Sequence, residues 1–494
     1  MSTKGCISRS SKSLLPHQVK FVEAFIKNKQ HGALALWSPG SGKTLLSVAA
    51  SKCYLDKYPG GKIIVITPAS LLAGFESELR AYERGSTRKY MFYTYAGFYR
   101  KPISCKNAMV IVDEAQSLKS PKGASFKSVL QCSMSADKIL MLSATPIINK
   151  LYDIEPIMAI IHQHPVISDA SFKQIIKTPK LARAYFGCKI SFYSADPKTT
   201  KEYFPTVKVI HIGIVMDPKT LRTYLNLEKD KGTQLINNIF DIDTNEDVDL
   251  QSFFNGLRRL SSSSSQKINY MINFILQITR IRKPNRSLGI TQKVIDEHTD
   301  KFIIFTHFKT HGSDLIIKAL KKNDIDFGFI DGSVPKAQRK HVVDDYVAGH
   351  VKVILISAAG ATGLNLLETG YMFLVESSWN ESEVIQVMAR ANRYMSHIRL
   401  PKQKQNVLIM KLALIKPQEK KQFVKLVEAK IDYKKQKYKA SIDVKMAADA
   451  VIKQWEINAF LKYVSAKIPQ LETCNAGNTA NDVAKVYKLL EPDD

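Results

Sequence analysis

The chain lacks any stretch approaching the ~20 consecutive apolar residues that a membrane-crossing helix needs. Its first residues, Met1 to Ser13, are polar and basic, without the apolar core of a secretory leader. Cysteine is scarce and scattered: Cys6, Cys53, Cys105, Cys132, Cys188 and Cys474 form no CxxC pair. That removes the zinc ribbon and the thiol redox motif, and predicts reduced thiols in a cytosolic or nuclear protein. Acid is also in short supply, with 45 Asp and Glu against 72 Lys and Arg and a net charge of +27. This imbalance points to a polyanionic partner, with nucleic acid ahead of an anionic membrane surface. No membrane role is expected.

With 494 residues the chain is too long for one core, so two or three domains are expected. Hydrophobic residues at 45% and charged residues at 24% are an ordinary globular balance. Two regions alternate short continuous apolar runs with helix-like stretches. The first, near 14 to 165, has strand candidates Ala33–Trp37, Lys62–Thr67, Ala108–Val112 and Lys138–Leu142. The second, near 290 to 415, has Phe302–Thr306, Asp326–Ile330, Val351–Ile356, Tyr371–Val375 and Val407–Leu412. Continuous rather than alternating apolarity marks strands buried on both faces, as in parallel α/β sheets. Residues 166 to 290 read as mostly helical and irregular. The acidic run Asp241 to Asp249 begins like a calcium loop, but Glu246 replaces the required glycine and Ser252 the bidentate glutamate, so a solvated loop is expected. Ser261 to Ser265 reads as a flexible link. From Arg399 to Ala440 there are thirteen Lys or Arg and three Asp or Glu, with Tyr433 and Tyr438 interleaved. A solvated face and a phosphate-contacting surface are both open readings.

The chemistry concentrates at two places in the first region. Trp37-Ser-Pro-Gly-Ser-Gly-Lys-Thr44 follows an apolar run and precedes the helical pattern Leu45–Ala50, the strand, loop and helix context of a phosphate-binding loop. Gly40 and Gly42 let backbone amides, with Ser41 between them, close on an anion at a helix N-terminus. Lys43 would reach the β- and γ-phosphates of ATP, and Thr44 would bind Mg²⁺. Trp37 stands where a glycine is usual. Ala108-Met-Val-Ile-Val-Asp113-Glu114 then delivers two adjacent carboxylates at a strand end. Asp113 is the expected second Mg²⁺ ligand, and Glu114 the base that activates water.

Asp113-Glu-Ala-Gln116 resembles the DEAD/DEAH box of superfamily 2 helicases. Ser143-Ala-Thr-Pro-Ile-Ile-Asn149 resembles motif III of the Swi/Snf-type ATPases, whose ATP state couples to DNA contact. Leu15-Pro-His-Gln18 resembles their Q motif, which implies that Gln18 contacts adenine. Thr67–Leu72 and Tyr93-Thr-Tyr95 resemble motifs Ia and Ib. In the second region Lys301–Phe308 resembles motif IV, and Ile330-Asp-Gly-Ser333 with Gln338 and Arg339 resembles a further family segment. Ser357 to Leu366 resembles motif V, with Gly363 toward the nucleotide and Ala358 where an arginine is frequent. Glu376-Ser-Ser-Trp379-Asn380 resembles a Swi/Snf strand-end signature, and Gln386-Val-Met-Ala-Arg390-Ala-Asn-Arg393 resembles motif VI. An arginine arriving on closure neutralises transition-state charge. Arg393 is the expected finger, with Arg390 either positioning it or contacting the γ-phosphate, the two sharing one helix face by their i, i+3 spacing.

The resemblance runs from about residue 14 to 400. It implies two RecA-like α/β lobes with parallel sheets, a mainly helical insertion between them and a basic helical C-terminal tail. The expected divisions are 1–165, 166–290, 291–415 and 416–494. It implies an ATP-hydrolysing, Mg²⁺-using motor on nucleic acid, with duplex DNA favoured, working as a monomer in the nucleus or cytoplasm. The Tyr203-Phe-Pro205 segment and the absence of chromatin-reading domains are similar to compact viral members such as poxvirus nucleoside triphosphatase I. That similarity implies a transcription or chromatin-like complex as partner, and host cytoplasm or virion as location. A strand-separating helicase and a non-hydrolysing nucleic-acid scaffold are the alternatives.

Overall fold

A computed structural model describes residues 6–7, 13–28, 30–82, 87–194, 202–238, 256–358, 360, 364–378, 381–474 and 486–487. The acidic run 241–249, Gly363, and Trp379 and Asn380 lie outside the described residues. The chain divides into two compact units, Met1–Asp196 with Trp455–Asp494, and Pro197–Gln454.

The first unit is built on a six-stranded sheet in the order β3-β2-β4-β5-β1-β6, parallel throughout. The strands are β1 (Gly32–Trp37), β2 (Lys62–Thr67), β3 (Tyr90–Thr94), β4 (Ala108–Asp113), β5 (Lys138–Ser143) and β6 (Ile190–Tyr193). β1, β4 and β5 are buried along their whole length. Each fully buried Val, Leu or Ile contributes about 1.5–3 kcal/mol by leaving water. These are the runs whose continuous apolarity is visible in sequence. β3 is only half-buried at the sheet edge, and its aromatic run YMFYT carries a weaker signal.

The second unit has a parallel sheet in the order β7-β12-β11-β8-β10-β9. It comprises β7 (Thr206–Val215), β8 (Phe302–Thr306), β9 (Phe327–Ile330), β10 (Val353–Ser357), β11 (Tyr371–Leu374) and β12 (Asn406–Ile415). The α/β, two-sheet expectation therefore holds, whereas the expected divisions do not. The residues assigned to a separate insertion are shared out between the lobes. β6 completes the first sheet beside β1, and β7 pairs with β12 along ten residues from Thr206 to Val215. The reason is local: both are edge strands, half exposed, so neither shows the buried-strand pattern. The tail also divides, since Ile457, Phe460, Val464 and Ile468 of the helix Ile442–Lys467 and its end pack into the core of the first unit.

The serine tract is not a flexible link. Ser261 and Ser262 are fully buried at the approach to the helix Ser265–Leu276. Ser261 Oγ donates to Asp443 Oδ2 (2.6 Å) and accepts from Lys267 Nζ (2.8 Å), which also reaches Asp443 (2.7 Å) and the Val375 carbonyl (2.9 Å). Ser262 Oγ donates to Glu376, which accepts as well from Thr306 Oγ1 (2.6 Å) and the His307 N–H (3.1 Å). A buried ion pair survives only with its remaining donors and acceptors satisfied. Small hydroxyls meet that need without demanding space. Burial alone would push the Glu376 carboxyl up, but hydrogen bonds and charge from His307, with the hydroxyls of Ser262 and Thr306, hold it below its ordinary range.

The expectation of reduced thiols is overturned within the first unit. Cys6–Cys53, Cys105–Cys132 and Cys188–Cys474 are disulfides with Cα separations of 5.2, 5.4 and 5.8 Å. Their partners stand 47, 27 and 286 residues apart in sequence, so only the fold brings them within bonding reach. Among the described residues no helix is long and apolar enough to cross a membrane.

The disulfides and one buried acid can each be tested. Denatured without reductant, the protein is expected to release no reactive thiol, and all six after reduction; six before reduction would refute the pairing. The acid is Glu155, which is fully buried and accepts from the Ile167 N–H (3.1 Å) and the Tyr185 hydroxyl (3.3 Å). Burial pushes its carboxyl up from the ordinary 4.5 to about 8, against the pull of those two bonds. An acid raised on folding contributes stability that is complete below pH 4.5 and is lost as pH rises through about 8. Glu155→Gln, neutral at every pH, should melt with wild type at pH 5 and above it at pH 9, by roughly 5 °C in calorimetry. Parallel melting profiles across that range would count against a neutral Glu155.

Candidate nucleotide site

β1 runs into the loop Ser38–Gly42 and the helix Lys43–Lys57. Gly40 and Gly42 have φ of 77° and 81°, left-handed backbone that a side chain would strain. At Gly42 an added Cβ would also collide with Gln18 Nε2. Among the described residues no side chain caps the helix, so its first N–H groups and the positive end of its dipole are left for an anion. Ser41 Oγ is buried with no hydrogen-bond partner among the described residues. Lys43 Nζ donates to the carbonyls of Trp37 (3.0 Å) and Ser38 (3.3 Å). Burial lowers its pKa, with Glu114 and Asp113 pulling the other way. Thr44 is half-buried in the first helical turn. Spare donors around a glycine cradle fit a polyphosphate.

β4 ends at Asp113, across from Thr67 at the end of β2. Asp113 Oδ2 accepts from Thr67 Oγ1 (3.2 Å), and Oδ1 from the Glu114 N–H (3.0 Å). Burial first, then the adjacent Glu114, pushes Asp113 up to about 7, and Lys43 offsets this only in part. Two neighbouring carboxylates short of positive charge suit a hard, oxygen-liganded cation such as Mg²⁺.

Glu114 has φ 53° and ψ 53°, a left-handed conformation that costs of order 1–3 kcal/mol outside glycine and persists only where the surroundings enforce it. Three contacts do so. The hydroxyl of half-buried Tyr95 donates to the carbonyl of Asp113 (2.6 Å), with that of Glu114 at 3.1 Å. Gln116 Nε2 donates to Glu114 Oε2 (2.6 Å), and Ser143 Oγ donates to Gln116 Oε1 (2.7 Å). The Thr145 N–H donates to Ser143 Oγ (3.1 Å). An unbroken chain of hydrogen bonds thus joins the Glu114 carboxylate to the segment after β5.

On the other side of the loop, Gln18 is buried. Its Oε1 accepts from the Leu15 N–H (2.8 Å), and its Nε2 donates to the Gly42 carbonyl (3.2 Å) and, at 3.5 Å, to that of Ser41. Both donor bonds of Nε2 go to backbone carbonyls, whereas Oε1 accepts a single bond and keeps a second lone pair that a base amino group could use. His17 stacks on Tyr193 of β6, centroids 3.6 Å apart and planes 6° from parallel, and packs edge-on against Trp37 at 4.9 Å. Trp37, fully buried, donates its indole N–H to Ser191 Oγ (2.9 Å). Position 37 thus ends an interior strand, where the buried indole packs against His17, Phe21 and Tyr193. Sequence reasoning missed Tyr193, because β6 was read as part of the insertion, and took Tyr95 only as part of a motif.

In the second unit the helix Glu381–Met388 ends before Arg390 and Arg393, so the pair does not share a helix face as expected. Arg390 and Ala391 donate to the carbonyls of Val387 and Met388, three residues back, tightening the chain into turns that Met395 closes at φ 58°. Asn392, a poor helix former, lies inside that stretch. Both arginines are half-buried.

Two α/β units, one with a phosphate loop beside a paired-carboxylate strand end, define an ATP-hydrolysing enzyme of the two-lobed helicase class. Residues 93–261 match the SNF2-related domain family, and residues 287–395 the helicase conserved C-terminal domain family. A protein of Acanthamoeba polyphaga mimivirus named as an ATP-dependent RNA helicase is 28% identical over 82% of this chain and 89% of its own. A second so named from the same virus is 23% identical over 79% and 80%. A DNA repair and recombination protein RAD54-like of Drosophila pseudoobscura pseudoobscura is 23% identical over 78% and 59%. A solved SWI2/SNF2 ATPase core of Sulfolobus solfataricus is 18% identical over 92% of this chain and 97% of that one, at a TM-score of 0.37. The chain belongs to the Swi/Snf-type branch of the superfamily 2 helicases and is a nucleoside triphosphatase that uses ATP.

If Tyr95 holds the strained turn, Tyr95→Phe should lower kcat about tenfold and leave KM for ATP within twofold, since one hydrogen bond to a buried carbonyl contributes about 1.4 kcal/mol. Steady-state ATPase kinetics would show this; a change confined to KM, or none, would remove Tyr95 from the positioning of Glu114.

Proposed function

We propose that this protein is a DNA-dependent ATPase that moves along duplex DNA. The observation that carries the reading is the hydrogen-bond chain from Glu114 through Gln116 and Ser143 to Thr145. It gives the hydrolytic end of β4 a physical route to the segment that resembles motif III, so a change at the nucleotide is felt there. In this reading the amides of Gly40 to Gly42 and the Ser41 hydroxyl bind phosphate oxygens. Lys43 leaves the carbonyls of Trp37 and Ser38 for the β- and γ-phosphates. Thr44 and Asp113 would hold Mg²⁺, which would neutralise phosphate charge there. Glu114 orients water and takes its proton. Gln18 ties the base-binding side to the loop, and Arg393, supported by Arg390, supplies positive charge to the transition state.

Support for duplex DNA is the match of residues 93–261 to the SNF2-related family and the net charge of +27, which suits a phosphate backbone. The two mimivirus relatives favour a large DNA virus as the setting, with the viral transcription apparatus as the complex we infer. Their names favour RNA as the competing track.

ATP hydrolysis measured alone and with duplex DNA, single-stranded DNA or RNA tests this. Duplex DNA should stimulate most, and Glu114→Gln should cost roughly 10²–10⁴ in kcat. Stimulation by RNA or single strands alone would replace the duplex translocase with a strand-separating or RNA-tracking enzyme. An unaffected Glu114→Gln would remove the base from this position.

A further inference from the structure

Beyond β12 the chain makes a compact excursion, residues 417–440, before the helix Ile442–Lys467. Its base is pinned shut. Glu419 is fully buried and accepts from the Lys416 N–H (2.7 Å) and the Ser441 N–H (2.6 Å), while Lys416 Nζ reaches Glu228 (3.0 Å) and the Lys439 carbonyl (2.7 Å). The excursion has its own small core, in which Phe423, Leu426, Val427 and Tyr433 pack against Ala413, Ile415, Val444 and Ala448. Tyr433 Oη donates to Asp449 at 2.9 Å.

What this knob presents is lysine. Its own acids are spent internally: Glu419 at the base, Glu428 on Lys430 (2.7 Å), and Asp432 on the Lys434 N–H (2.9 Å). Lys420, Lys421, Lys425, Lys434, Lys435 and Lys437 are exposed or half-exposed and make no ion pair among the described residues. Six like charges on 18 residues repel one another, and ordering the backbone that carries them costs conformational entropy. A solvated tail would relieve both costs by spreading out. Here a dedicated core and a pinned stem hold the charges together, so the concentration of charge is the feature the fold maintains.

We propose that this knob is an auxiliary nucleic-acid contact that grips the phosphate backbone without reading sequence. Lysine and no arginine, all on turns and short helical pieces, supplies point charges rather than the planar forks that read bases or clasp single carboxylates. A membrane partner is disfavoured by the apolar content of the surface, where Val424 is the large hydrophobic residue exposed between 417 and 440. The proposal rests on the motor reading for its biological sense, but its binding test stands apart from ATPase stimulation.

The test replaces Lys420, Lys421, Lys434, Lys435 and Lys437 together, once by Gln and once by Arg. Fluorescence anisotropy then measures binding of the full chain to a 30-base-pair duplex from about 50 to 300 mM salt. The slope of log affinity against log salt is shallower by about 0.9 for each phosphate the protein no longer neutralises. The Gln variant should have a slope shallower by at least about 2 and an affinity at least tenfold weaker at 100 mM salt, and the Arg variant should retain both wild-type values. ATPase kcat at saturating duplex should stay within twofold. An unchanged slope overturns the knob while leaving the motor reading intact. Wild-type hydrolysis that answers to no nucleic acid, with duplex affinity still weakened in the Gln variant, sinks the motor reading and keeps the knob. Loss of binding to phosphatidylserine vesicles with duplex binding intact overturns the nucleic-acid assignment. Should the Gln variant not fold, acetylation of wild-type lysines read by mass spectrometry decides: duplex must protect Lys434, Lys435 and Lys437, and equal labelling with and without it overturns the proposal.

Discussion

Two adjacent carboxylates at the mouth of a fully buried strand are the constraint around which the first unit is arranged. Asp113 and Glu114 repel each other, and the dehydrated environment magnifies that repulsion. The surrounding residues answer each part of this cost. Thr67 and a backbone N–H bond Asp113, Lys43 supplies a positive charge nearby, and Gln116 bonds Glu114 while Tyr95 bonds the backbone beneath it. The partial success of this compensation, seen in the raised pKa of Asp113, leaves a place where a cation and a phosphate chain are favourable additions. Stability and chemistry are thus set by the same few atoms.

The sheet makes this possible, since parallel strands deliver their C-terminal ends to one edge. β1 brings the phosphate loop, β4 the acids, β2 Thr67 and β5 Ser143 to neighbouring positions, because the order β2-β4-β5-β1 places these strands side by side. β6 adds Tyr193 beyond β1, and the C-terminal residues close this edge through Ser191, which donates to Glu472, and through the Cys188–Cys474 disulfide.

The second unit relies on buried polarity of another kind. Lys267 with Asp443, and Glu376 with Ser262 and Thr306, join the ends of β8, β11 and β12 to two helices. Such networks cost more than apolar packing unless every member is satisfied. The serines at 261 and 262 satisfy them. The lysine knob carries the same logic to the surface, where a salt-bridged base and a small core hold charges that would otherwise spread apart.

The central strands, the phosphate loop, the acid pair and the two-lobed α/β plan were legible because each rests on local pattern. A strand buried on both faces must be apolar throughout, and a loop that wraps phosphate must place glycine where φ is positive. What the tertiary structure alone decided lies at edges and over distance. β6 and β7 are half-exposed, so their composition does not announce them, and only pairing with β1 and β12 makes them strands. Ser261 and Ser262 look like linker residues until Lys267, Asp443 and Glu376 surround them. The cysteines show no pairing until folding brings residues as far apart as 188 and 474 together. Tyr95, Gln116 and Ser143 act through hydrogen bonds between different strands, and a contact of that kind leaves no periodicity in the chain. Local backbone and burial demands are written residue by residue, whereas the satisfaction of a buried charge depends on whichever distant group the fold places beside it.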